Sequence, residues 1–306
     1  LPFIVSQALL QLMSLNADDE SIEYRQCSAV HDAASSVDWV YGNTRGLRQG
    51  CGDFRKSIVC RRPAFFAVNE THLDGDPIKA LIPWGYKVLC RLDRSKHGGG
   101  LLIGCKKQIL ADTPDLSKYN TPGLAEMIGI EWGGVHWILY YTPNSNAALV
   151  LLQAIQQYKE DHPTARMVFI GDMNAHNSDW IISSSITDKA GLLAQEFCEL
   201  FGLSQLVDFT TREGNTLDLV MSDIKGIAIE APGFGNSDHK SMSIVFESQE
   251  KIPSTPERKA VRDWHNAPWN HIRGAVKRAL THWKPTGNQD DACLLYTSPS
   301  PRDRFL

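Results

Sequence analysis

Between residues 37 and 248 the chain is built from short apolar runs, each closed by Gly, Pro, Asn or an acidic residue. Runs of this length, rich in Val, Ile, Phe and Tyr, predict buried strands. Asp38–Leu47 predicts a strand opening into a loop, and Ala64–Val68 a second strand that ends in Asn69-Glu70-Thr71-His72. A glycine turn, His97-Gly98-Gly99-Gly100, leads into a strand over Leu101–Cys105. Glu126–Glu131 and Val135–Tyr141 flank Trp132-Gly133-Gly134, a hairpin signal. Met167–Ile170, Thr216–Met221, Ile227–Ile229 and Met242–Phe246 predict the remaining strands.

Helical spacing is rarer. Gly50–Arg62 predicts a short helix ended by Pro63. Asn146–Asp161 places Leu149, Leu152, Ile155 and Tyr158 on one face, with Asn146 as its cap. Lys189–Phe201 is a further amphipathic helix, stopped by Gly202. Many strands with few helices between them predict two packed sheets with outer helices, an α/β sandwich.

The ends behave differently. Residues 1–36 show no period beyond an apolar start and the acidic Asp18-Asp19-Glu20. Leu1–Leu15 lacks a basic leader region and is too short to cross a bilayer. The first residue is Leu, so the natural N-terminus is expected upstream. Past Lys251 the character changes. Pro253 and Pro256 make a linker, and 251–286 carries eight Lys/Arg against two acids, with Trp264, Trp269 and Trp283. Such a segment either touches nucleic acid or packs on a neighbouring domain. Cys293–Leu306 has no core pattern, resembles translated adaptor sequence, and is expected to be a non-native tail.

At 306 residues, with 42% hydrophobic and 22% charged residues, the chain has the balance of a soluble globular protein. A net charge of −4 argues against a generally basic nucleic-acid coat. It leaves open a nuclease, whose metal-holding carboxylates lower the total while a local basic rim binds phosphates. Seven cysteines without a C-x-x-C pair suit a reducing compartment better than a disulfide framework or a zinc site. The triple glycine is not followed by Gly-Lys-Ser/Thr, which argues against a P-loop.

Candidate chemistry gathers around Met167-Val168-Phe169-Ile170-Gly171-Asp172-Met173-Asn174. A buried strand releases a carboxylate and a carboxamide two residues apart, on one face while the chain stays extended. That pairing suits holding and deprotonating a water beside an anionic substrate. Taken alone, an Asx turn explains it as well. Other polar groups at strand ends are Asn43, Glu70, Asn144, Asp218, Asp238 and His239.

Their order and flanks resemble the endonuclease/exonuclease/phosphatase superfamily. The matching motifs are N-T-R-G-L at 43–47, N-E-T-H-L at 69–73, Y-T-P-N at 141–144, G-D-M-N at 171–174, T-L-D-L-V at 216–220 and S-D-H at 237–239. E-T-H-L, the R-x-D-R…G-G-G stretch of 91–100 and G-D-M-N-A-H are similar to the endonuclease domain of non-LTR, LINE-type retrotransposons. Arg45 stands where abasic-site repair enzymes carry a further metal-binding acid.

The resemblance implies a four-layer, DNase I-like α/β sandwich of two mostly antiparallel sheets over 37–248. Residues 249–292 would then be a basic helical connector towards a reverse transcriptase in the same polyprotein. It implies a Mg²⁺-dependent DNA endonuclease, with Mn²⁺ as substitute, that leaves a 3′-hydroxyl primer and acts inside the cell, in the nucleus, without a membrane. Glu70, Asn43 and Asp238 are the implied metal ligands, and Asp172 the base. Asn174 orients the water, and His239 is the phosphate contact whose ring Asp218 fixes. Tyr141 and Asn144 are contacts to the phosphate or leaving group, and Asn43 also borders the substrate. The rival readings are a phosphatase or phosphodiesterase of the same superfamily and an inactive nucleic-acid-binding relic. A Ser237–His239 hydrolase is disfavoured, because no G-x-S-x-G elbow is present.

Overall fold

The computed structural model describes residues 36–248 and Ile252. In chain order the elements are β1 (Ser36–Asn43), α1 (Cys51–Arg61), β2 (Phe65–Asn69), β3 (Tyr86–Leu92), β4 (Leu101–Lys106), β5 (Glu126–Trp132), β6 (Val135–Tyr141), α2 (Ser145–Asp161), β7 (Arg166–Asp172), α3 (Lys189–Phe201), β8 (Ser204–Gln205), β9 (Asp218–Ser222), β10 (Gly226–Ala231) and β11 (Ser241–Glu247). A short 3-10 turn covers Ser117–Tyr119. The N-terminal segment before Ser36, the basic connector (Ile252 apart) and the expected tail lie outside the described residues.

One sheet has the order β10-β11-β1-β2-β4-β3 and the other β5-β6-β7-β9-β8. Each contains a parallel pair, β1 with β2 and β6 with β7. Parallel neighbours need a crossover, supplied here by α1 and α2. Each pair then meets an antiparallel partner, β4 beside β2 and β9 beside β7. The two halves therefore bring the C-terminal ends of their parallel strands, and the start of the following strand, to an edge.

Alternation along the strands builds the layers. Val37, Trp39 and Tyr41 of β1, with Phe65 and Ala67 of β2, face Ile128 and Ile130 of β5, Trp137 and Leu139 of β6, and Val168 and Ile170 of β7. Trp39 stacks on Phe65 at 4.7 Å within its sheet and on Trp137 at 5.1 Å across to the other. The alternate residues turn outwards. Phe66 and Val68 pack on Phe54 and Ile58 of α1. Met167, Phe169 and Leu219 pack on Leu151 and Ile155 of α2 and on Ala194 and Phe197 of α3. Helix, sheet, sheet and helix give the expected four-layer sandwich, with mixed rather than purely antiparallel sheets.

Two local expectations are corrected. The cap of α2 is Asn144, whose side chain accepts from Ala147 N at 3.0 Å, and Asn146 is the second residue of the helix. The edge strand β3 has no counterpart among the predicted strands. All seven of its residues are only partly buried, and a register shift between Val88 and Cys90 breaks its alternation.

Candidate active site

The inner rows of the sandwich turn polar at one edge. Continuing each row by two residues leads from Tyr41 to Asn43, from Ala67 to Asn69, from Ile128 to Glu126, from Leu139 to Tyr141, from Ile170 to Asp172 and from Val220 to Asp218. Strand register sets these ends side by side. Glu126 lies opposite Tyr141, Tyr141 opposite Asp172 and Asp172 opposite Asp218, while Asn43 pairs with Asn69 in the facing sheet.

Hydrogen bonds then join the sheets. Asn43 Nδ2 donates to Glu70 Oε1 at 2.9 Å and to Asp172 Oδ2 at 3.2 Å. Asn69 Nδ2 donates to Tyr41 Oη at 3.1 Å and to the Tyr140 carbonyl at 2.8 Å. Tyr41 in turn donates to Asp218 Oδ1 at 2.5 Å. His239 Nδ1 lies 2.7 Å from Asp218 Oδ2, and its Nε2 lies 3.8 Å from Asp172 Oδ2. His72 Nε2 closes the other end at 3.2 Å from Glu70 Oε2. Glu70 itself stands at φ +50°, which turns its carboxylate out of the strand line.

Burial and charge separate the carboxyl groups. Burial alone would raise Glu70, but bonds from His72 and Asn43 and the nearby imidazoles outweigh it and hold the group at about 2. Asp172 moves the other way: burial, then the charge of Asp218, pushes it well above the ordinary carboxylate range. Asp218 is held low because the His239 charge and bond overcome burial. His239 is lifted to about 9, the Asp218 charge and bond overcoming the burial that would lower it. Tyr141 is raised by burial and by the charges of Glu70 and Asp172, so it stays a neutral phenol able to donate.

The remaining sequence-predicted residues are placed less uniformly. Asn174 does not continue the row of Asp172. The strand ends at Asp172, and Asn174 takes φ +49°, with its N–H on Asp172 Oδ1 at 3.1 Å and its Nδ2 on the Thr142 carbonyl at 2.8 Å. The Asx turn and the polar rim therefore coexist at one motif. Asn144 is exposed, and its side-chain oxygen is spent on the start of α2. Asp238 Oδ2 is taken up by two guanidiniums, Arg45 Nη1 at 3.1 Å and Arg212 Nε at 2.9 Å, while its buried Oδ1 has no hydrogen-bond partner. Ser237 Oγ donates to the Asn43 carbonyl at 2.7 Å, which ties the loop to β1 and leaves no nucleophile for a serine mechanism. Tyr41, Asn69, His72 and Glu126 were not singled out from sequence. The signal available for Tyr41, Asn69 and Glu126 was their place on the inner rows.

The donor set fits a hard divalent cation. Asp172, Asp218 and His239 offer ligand atoms within 4.8 Å of one another. Asp218, however, spends one oxygen on His239 Nδ1 and the other on Tyr41, which leaves His239 only Nε2. Glu70, Asn43 and Asp172 are the better set: oxygen donors from both sheets, linked through one carboxamide, with the carboxylates' charge compensated only in part.

Residues 135–243 match the model of a family described as endonuclease-reverse transcriptase. Over this segment the chain is similar to the endonuclease/exonuclease/phosphatase superfamily. Solved structures of similar fold include the endonuclease domain of TRAS1, a telomere-specific non-LTR retrotransposon. It is 17% identical, with a TM-score of 0.55, and the match covers 70% of this chain and all of that one. The 3′-5′ exonuclease NExo of Neisseria meningitidis is 16% identical, with a TM-score of 0.54 and coverage of 69% and 100%. An abasic-site (AP) endonuclease of Archaeoglobus fulgidus is 17% identical, with a TM-score of 0.55 and coverage of 69% and 99%. At these identities the likeness is one of fold. No curated protein matches the chain.

Proposed function

We propose that this chain is a Mg²⁺-dependent DNA endonuclease that nicks a target strand and leaves a 3′-hydroxyl to prime reverse transcription. In this reading it is the nuclease part of a non-LTR retrotransposon polyprotein, working in the nucleus beside its own reverse transcriptase. The single observation that carries the reading is the connected edge from Glu70 through Asn43 to Asp172, His239 and Asp218.

Hydrolysis of a phosphodiester needs an activated water, cover for charge on the phosphoryl oxygens and help for the leaving oxygen. Glu70, Asn43 and Asp172 would hold the Mg²⁺, which supplies Lewis-acid neutralisation of the phosphate when bound. The Asp172 oxygen not engaged by the Mg²⁺ would take the proton of the attacking water. Asn43 and the backbone N–H of Asn174 hold the two Asp172 oxygens in place. His239, charged at neutral pH, offers Nε2–H to a phosphoryl oxygen, while Asp218 fixes Nδ1–H, Tyr41 fixes Asp218 and Asn69 fixes Tyr41. The Tyr141 phenol is a further donor on the same rim. The products are a 5′-phosphate and a 3′-hydroxyl.

Supercoiled-plasmid relaxation tests the proposal. Asp172→Asn removes the base and one of the two oxygens that accept from Asn43 and Asn174, and should slow Mg²⁺-dependent nicking about 10²- to 10⁴-fold. Equal nicking by wild type and Asp172→Asn, or by wild type with and without EDTA, would overturn it.

A further inference from the structure

The R-x-D-R…G-G-G stretch is absorbed by none of the roles above, yet the structure runs it directly along the active edge. Arg94 Nε donates to the Gly98 carbonyl at 2.8 Å, and Arg94 Nη1 lies 2.9 Å from Glu126 Oε1. The other Glu126 oxygen accepts from Gly100 N at 2.8 Å. Gly99 and Gly100 then pass their carbonyls to His72 N and Thr71 N, both at 3.1 Å, immediately after Glu70. From there the chain is one bond away from the candidate metal ligand.

The same pair reaches Tyr141. Glu126 is its register partner on the inner face of β5, and the Arg94 guanidinium carbon lies 5.6 Å from the Tyr141 ring centroid. Glu126 is 3% exposed, an acid placed where the rest of its row is Ile and Trp. A buried carboxylate survives there because a guanidinium and a backbone N–H satisfy it. Arg94 leaves the six-stranded sheet after β3, whereas Glu126 opens the five-stranded one, so the ion pair ties the two sheets at the edge where the other rim groups meet. The glycines are required by contact as well as by backbone. Gly99 and Gly100 have φ of +70° and +91°, and a Cβ on Gly100 would stand 2.5 Å from Thr71 Oγ1. One on Gly99 would stand 2.5 Å from Glu126 Oε1.

We propose that Arg94 and Glu126 are positioning residues for the nuclease: their buried ion pair, acting through Gly99 and Gly100, fixes Glu70 on one side of the site and Tyr141 on the other. The inference rests on the functional reading above but concerns the pre-organisation of the site rather than the reaction class. Pre-organised ligands bind a cation more tightly and align a phosphate better than loose ones.

The test uses the full chain and separates folding from positioning. Arg94→Met alone strands a buried carboxylate and is expected to lower the melting temperature. The double variant Arg94→Met/Glu126→Gln removes both charges and keeps an acceptor for Gly100 N, so its melting temperature should recover towards wild type. Two readouts are then taken on the double variant: single-turnover nicking, and Mn²⁺ affinity by calorimetry. Positioning predicts that both stay impaired, nicking by about tenfold or more and Mn²⁺ affinity by several-fold, while DNA affinity is held. A double variant with wild-type stability, wild-type Mn²⁺ affinity and wild-type nicking overturns the proposal. Wild-type chain that binds Mn²⁺ but nicks nothing defeats the nuclease reading instead. In that case the Mn²⁺ comparison still decides the role of Arg94 and Glu126.

Discussion

Asp218→Asn isolates the physical basis of the charge on His239. In the folded chain His239 is lifted from 6.5 to about 9, with the Asp218 charge and bond overcoming burial. A shift of that size corresponds to about 3 kcal/mol of preference for the charged ring. The depressed Asp218 reports the same interaction and is counted once. Because the folded value is raised, this stability is fully present below the unfolded value of 6.5 and is lost as pH rises through about 9. With Asn at 218 the Tyr41 bond can persist, but the charge is gone and burial dominates, so His239 should titrate at or below 6.5. At pH 7.5 the charged fraction of the ring should then fall at least about tenfold. Nitrogen-15 NMR of the imidazole measures the shift without reference to activity. In parallel, the alkaline limb of nicking should move from near pH 9 towards pH 6.5. A wild-type ring titrating at its ordinary value, or one unmoved by Asp218→Asn, would refute the reasoning.

The other expectations concern single contacts. Asn69→Ala removes both of its donors and leaves the Tyr140 carbonyl buried without that partner; urea denaturation should show a loss of about 2–3 kcal/mol. Trp39→Ala opens a hole between Phe65 and Trp137, and the cost should be about 3–5 kcal/mol by the same measurement. For the metal, Glu70→Gln should weaken Mn²⁺ binding about tenfold or more, as expected for loss of a ligand carboxylate. Asp238→Asn should leave that affinity nearly unchanged, since the charge on its Oδ2 is already met by Arg45 and Arg212. Equal losses in both variants would restore Asp238 to the ligand set.

Much of the sandwich was legible because its strands are short, apolar and punctuated. The Trp132-Gly133-Gly134 hairpin and the Lys189–Phe201 helix, stopped by Gly202, appear with bounds close to those expected. What escaped depended on pairing rather than on local pattern. Glu126 resembles a surface acid until its register with Tyr141 is known, and Tyr41 resembles an ordinary core aromatic until Asp218 is placed against it. The triple glycine reads locally as a turn, whereas its carbonyls extend the β2–β4 ladder to Thr71 and His72. Asn144 and Asn146 are equally good caps by residue type. The extended backbone at Asn144 decides between them.

The same alternation that fills the core also places the rim, and this explains why so many site residues were found at strand ends. Tyr41, Ala67, Ile170 and Val220 are inner-row residues, and the polar group two positions further on each strand inherits their direction. A one-residue slip in β7 would turn Asp172 towards α2 and α3 and would simultaneously expose Val168 and Ile170 to the wrong face. Packing of the core and aim of the carboxylates are therefore fixed by one register. Of the groups outside this rule, three are reached by special backbone: Glu70, His72 and Asn174, all at positive φ. Glu70 and Asn174 have the position of their side chains set by the chain after the strand has ended, and they need the external ties that Asn43, Gly100 and Thr142 provide. Substitutions in those ties should therefore reduce metal binding and nicking before they reduce stability, whereas substitutions in the inner rows should do the reverse.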